Sequence, residues 1–84
     1  MNKKHLKTLS AIFASPASRN IPYRDVAALL RALDCIVHQG DGSRVAFECG
    51  TLMLHLHEPH PGKEIKPYQV KAVREFLIEI GVKP

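Results

Sequence analysis

At 84 residues the chain has room for one small domain, residues 1–84, and not for two. Such a core is too small to enclose a deep substrate cavity, so any site is an open surface carrying a few side chains. Twelve Lys and Arg against eight Asp and Glu give a formal charge of +4, which favours a polyanionic partner, while five aromatics and no tryptophan argue against a platform that stacks single-stranded bases.

No stretch approaches the roughly 18 apolar residues of a membrane span. Met1-Asn2-Lys3-Lys4 is basic, but an amphipathic segment follows it in place of an apolar secretory core, so a cytoplasmic protein is expected. Cys35 and Cys49 lack CxxC spacing and lie in apolar, strand-like segments, which reads as buried free thiols.

Leu6, Leu9, Ile12 and Phe13 recur at helical spacing and predict a first helix within residues 4–14, ending before Ser15-Pro16. A loop rich in Ser, Pro and Asn leads to a second helix over about Tyr23 to Leu33. Its Val26, Leu29, Leu30 and Leu33 form one apolar stripe. Cys35-Ile36-Val37-His38 is a short β-prone run, stopped by the turn Gln39-Gly40-Asp41-Gly42-Ser43.

Two alternating runs come next. Val45 and Phe47 in one, and Leu52, Leu54 and Leu56 in the other, point to a covered face. Arg44, Ala46, Glu48, Met53, His55 and His57 point to an open one. A two-residue loop at Cys49-Gly50 would place Arg44 across from His55 and Val45 across from Leu54. The last helix is expected from Pro67 to about Ile80, with Pro at its first position and Gly81 as its C-terminal cap. Three antiparallel strands with one apolar face require helices on that face, an α+β fold.

The segment between the third strand and the last helix concentrates polar function. His55, His57 and His60 are three of the five histidines, and Pro59-His60-Pro61-Gly62-Lys63-Glu64-Ile65-Lys66-Pro67 follows as a Pro/Gly turn with two lysines. That run, leading into a helix closed by Gly81, resembles the HicA toxin family. Gly42-Ser43 is similar to the family's Gly-Ser-His before its second strand. The resemblance covers residues 22–82 and leaves the first helix outside. It implies a fold like the double-stranded-RNA-binding domain, α-β-β-β-α. It also implies an mRNA-cleaving ribonuclease that needs no metal or other cofactor and is neutralised by a HicB antitoxin. The family's catalytic histidine directly follows Gly-Ser, and here that position is Arg44.

Metal-free RNA cleavage needs a base for the 2′-hydroxyl, an acid for the leaving oxygen and positive charge at phosphorus. His55 and His57 share a strand face, and the expected register sets Arg44 against His55, so the catalytic set is Arg44, His55 and His57. His60 joins it through the family match alone. The competing reading is a pair of solvated strand histidines, with His60 only fixing the turn. Zinc is a third reading of His55-x-His57 with His60, but a fourth ligand is missing because neither cysteine is expected on that face. His38 reads as an ordinary strand-end residue and His5 as a helix-surface residue.

Ser43, Lys63, Lys66, Lys71 and Arg74 are the candidates for RNA contact. Lys63 and Lys66 stand at a helix entry whose backbone already favours anions. Their competing reading is a solvated helix surface, diluted by Glu64, Glu75 and Glu79. Two other functions stay open for the whole chain: a non-catalytic RNA-binding or antitoxin-binding module, and a protein-interaction domain using the open sheet face.

Overall fold

A computed structural model describes residues 1–16, 18–59 and 62–84. The order is α1 (Lys3–Phe13), α2 (Tyr23–Ala32), β1 (Ile36–Gln39), β2 (Arg44–Cys49), β3 (Leu52–His57) and α3 (Pro67–Glu79). The strands form one antiparallel sheet in the order β1-β2-β3. From α2 onward this is the α-β-β-β-α arrangement expected from the sequence, with α1 in front. No helix among the described residues is long and apolar enough to cross a membrane.

Each helix starts and stops for a local reason. Asn2 caps α1 by accepting a hydrogen bond from the His5 backbone N–H at 2.8 Å. Behind α3, Gly81 takes φ +85°, the Gly81 N–H bonds Ile78 O, and the Val82 N–H bonds Leu77 O at 2.8 Å. This is the paired-bond ending that a left-handed residue permits. The same ending closes α2, with Asp34 at φ +67° in the left-handed place and bonds from Asp34 N to Arg31 O and from Cys35 N to Leu30 O.

One buried cluster draws on all three helices and on the inward positions of the sheet. Ile12, Val26, Leu29, Leu30, Phe47, Val73 and Leu77 are fully buried in it. The first helix is therefore part of the core. Its Leu9 and Ile12 are buried, and the Arg74 side chain of α3 grips its C-terminal end. Arg74 Nε and Nη2 donate to Ile12 O at 3.0 and 2.8 Å, and Nη2 also donates to Ala14 O. A guanidinium suits this place, because the free carbonyls at a helix C-terminus carry negative partial charge.

The loops before α2 and α3 are tied together. Tyr23 N donates to Lys63 O at 2.8 Å, Ile65 N donates to Ile21 O at 3.0 Å, and Pro22 bridges Glu64. Ile21 and Ile65 are both buried beneath this pairing. The two cysteines are free thiols, Cys35 buried and Cys49 half-buried. Burial first, and the neighbouring Cys49 next, push the Cys35 thiol up to about 12, so it stays protonated at neutral pH and is a poor nucleophile.

Candidate functional site

The faces of the sheet are as the alternation predicts, but the register is not. Arg44 lies opposite His57, Ala46 opposite His55, Phe47 opposite Leu54 and Cys49 opposite Leu52. The expected Arg44–His55 pair is therefore replaced by Arg44–His57. The reason is the turn. The two loop residues are Gly50 and Thr51, and Gly50 takes φ +64° at the first central position. A tight hairpin demands a positive φ there, which glycine accepts freely and Cys49 would resist. The difference of two positions is even, so each side chain keeps its face while every cross-strand partner changes.

The open face carries three rows. Ile36, Glu48 and Met53 make the first, His38, Ala46 and His55 the second, and Arg44 with His57 the third. Glu58 N donates to Ser43 O at 2.8 Å. Counting back from that bond makes Arg44–His57 and Ala46–His55 non-hydrogen-bonded pairs, in which opposed side chains come closest. A groove of about 480 Å³ runs over the second and third rows, lined by His38, Arg44, Ala46, His55 and His57.

His57 joins the sheet to α3. Its Nδ1 lies 3.4 Å from the Ser43 hydroxyl, and its backbone carbonyl accepts from Gln69 Nε2 at 2.9 Å. Gln69 is buried, and its Oε1 in turn accepts from the Lys66 backbone N–H at 3.2 Å, closing the entry of α3. A second hollow of about 330 Å³ sits here, bordered by Ser43, His57, Lys66 and the exposed Tyr68. The first turn of α3 contains no acidic residue, and the one carboxylate bordering this hollow is Glu58.

Of the residues singled out in the sequence, Ser43, Arg44, His57 and Lys66 converge at this corner, with His55 one row along the sheet. Lys63 lies beside it on the strap paired to Tyr23, and Lys71 is exposed one turn further along α3. Arg74 is spent on the end of α1. His60 lies outside the described residues. Among the described residues, no group of three His, Cys, Asp or Glu side chains is arranged to hold a metal ion.

One residue that the sequence reading set aside comes forward. His38 faces the groove, and its Nε2 is 2.8 Å from Glu48 Oε1. The run Ile36-Val37-His38 has no clear alternation, so its phase could not be read. Its pairing with Ala46 on β2, continued by the hydrogen bond from Gly40 N to Arg44 O at the mouth of the turn, sets which side His38 takes.

The family model described as the HicA toxin of bacterial toxin-antitoxin systems matches residues 23–82. The chain belongs to the HicA toxin family. Membership makes it a toxin of the toxin–antitoxin type and implies an antitoxin partner. No curated protein and no solved structure matches it. The matched residues begin at the first residue of α2, so this HicA protein carries α1, with its buried Leu9 and Ile12, ahead of the family region.

Proposed function

We propose that this HicA protein binds RNA across the open sheet face and the α3 entry and cleaves it without a metal, and that a HicB-like antitoxin blocks it. The observation that carries the reading is the opposed pair Arg44–His57, with Ser43 on one side and the α3 N-terminus on the other. Arg44 offers a planar fork of donors to phosphate oxygens. His57 is held by Ser43 and adds a donor to the same oxygens. Lys66, Lys63 and Lys71, with the backbone N–H groups at the α3 entry, suit the next phosphates along the strand. His55, one row away over the small Ala46, is placed to exchange a proton with the sugar oxygens.

The test is incubation of the purified protein with a labelled RNA in excess chelator. Discrete fragments are expected, with cleavage lost in the double variant His55→Ala/His57→Ala. RNA that stays intact but is retained by the protein in a salt-dependent manner would overturn the nuclease reading. It would favour the binding module to which Arg44, standing where the family has its histidine, also points. Premixing with a HicB-like antitoxin is expected to abolish both cleavage and retention.

A further inference from the structure

We propose that His38 is a second catalytic histidine, the general base of the cleavage step, with His55 as the general acid and Glu48 as the residue that positions His38. The proposal rests on the ribonuclease reading above and assigns its proton transfers.

The geometry comes from the middle row of the open face. His38 and His55 both oppose Ala46, one from β1 and one from β3. Two strand spacings separate their backbones by about 10 Å. Both side chains rise from the same face, and the methyl group of Ala46 leaves the space between them open as the floor of the groove. Phosphodiester cleavage by a 2′-hydroxyl is an in-line displacement, so the base and the acid must stand on opposite sides of phosphorus. A pair of imidazoles facing each other over a small residue meets that condition. His55 and His57, two positions apart on one strand, stand on the same side of it.

The Glu48 contact is what distinguishes His38 from His55. An ionised carboxylate only accepts hydrogen bonds, so the 2.8 Å contact requires His38 Nε2 to carry the hydrogen. In the neutral ring this leaves the lone pair on Nδ1, the arrangement of a carboxylate-oriented base. Among the described residues no carboxylate is hydrogen-bonded to the His55 ring, which leaves it to carry a proton to the leaving group. In the step, His38 Nδ1 takes the proton from O2′, and O2′ bonds to phosphorus. The P–O5′ bond breaks, and His55 gives its proton to O5′. The products are a 2′,3′-cyclic phosphate and a 5′-hydroxyl. Arg44 and His57, in the adjacent row, face the charge that gathers on the non-bridging oxygens.

The experiment measures cleavage of a 5′-labelled RNA oligonucleotide of mixed sequence by wild type, His38→Gln, His55→Gln and Glu48→Gln, over a range of pH. Wild type should give a bell-shaped profile and 2′,3′-cyclic termini. His38→Gln should lower kcat by about 100-fold or more with KM little changed, and should lose the limb that rises with pH. His55→Gln should lose the falling limb. Glu48→Gln should lower kcat by about 10-fold, keep KM and keep both limbs. All three positions are solvent-accessible, and an unchanged unfolding curve verifies that the variants are folded. A His38→Gln protein that cuts as fast as wild type, with both limbs intact, overturns this inference alone. A wild type that binds the oligonucleotide and leaves it whole overturns the ribonuclease reading and this inference with it.

Discussion

The two faces of the sheet are built from alternate residues of the same strands, yet they answer to different physics. Val45, Phe47, Leu54 and Leu56 are at most 6% exposed and meet the helices. Arg44, His55 and His57, each a single residue away in sequence, are exposed and face the groove. Burial fixes the first set and leaves the second free to be chosen for chemistry. Substitutions one residue apart should therefore separate into losses of stability and losses of activity.

The largest effect is expected on the covered face. Phe47→Ala should cost about 3–5 kcal/mol in urea unfolding. That is a large part of the roughly 4–13 kcal/mol expected for a domain of this length. On the open face, His55→Ala should leave the unfolding free energy within about 0.5 kcal/mol of wild type. It should reduce RNA cleavage by about 100-fold or more, equivalent to nearly 3 kcal/mol of barrier. If His55→Ala unfolds the protein, or Phe47→Ala leaves it stable, the division between the faces is broken.

Arg74 sharpens the comparison because its charge suggested RNA and its geometry assigns it to the fold. Arg74→Ala should lower stability by about 1.5–3 kcal/mol, the scale of hydrogen bonds made by a charged group. Arg74→Lys should recover only part of this, since an ammonium cannot reproduce the fork that reaches Ile12 O twice. The salt dependence of RNA binding should be the same in both variants as in wild type. By contrast, Lys66→Ala should flatten that dependence by about one phosphate contact and leave stability nearly unchanged.

The fold was legible because its signals are local and redundant. Period-two alternation on either side of Gly50, the α2 stripe of Val26, Leu29 and Leu30, and the Pro67 and Gly81 limits of α3 each point to one element. The site was legible only by face. Alternation tells which side Arg44, His55 and His57 occupy, but the pairing among them turns on which residue of the hairpin takes a positive φ. Gly50 could sit first or second in the loop, and its place as the first of the two sets Arg44 against His57. His38 was missed for a related reason. Four residues with two adjacent aliphatics carry no phase, and its alignment depends on contacts made elsewhere in the chain. Arg74 shows the converse limit: composition reveals a charge but not the carbonyls it meets 60 residues away.

The smallest expected effect lies at the seam between the two sides. Asp34 ends α2 at φ +67°, a conformation that costs an L-residue energy, and sets a negative charge against the negative end of the helix dipole. In the equivalent place behind α3 stands Gly81, which pays neither penalty. Asp34→Gly should therefore raise stability by about 0.5–1 kcal/mol, net of the extra freedom glycine brings to the unfolded chain. Gly81→Ala should lower it by about 1 kcal/mol. Both would be read from urea midpoints at constant slope. Asp34 also leads directly into β1, and the bond from Cys35 N to Leu30 O lies at that junction, three residues before His38. Glycine in that place keeps both turn bonds, so the phase of β1 should persist and RNA cleavage should match wild type. A change in cleavage alongside the gain in stability would mean that the turn positions the histidine, and that the two sides of the sheet are not independent.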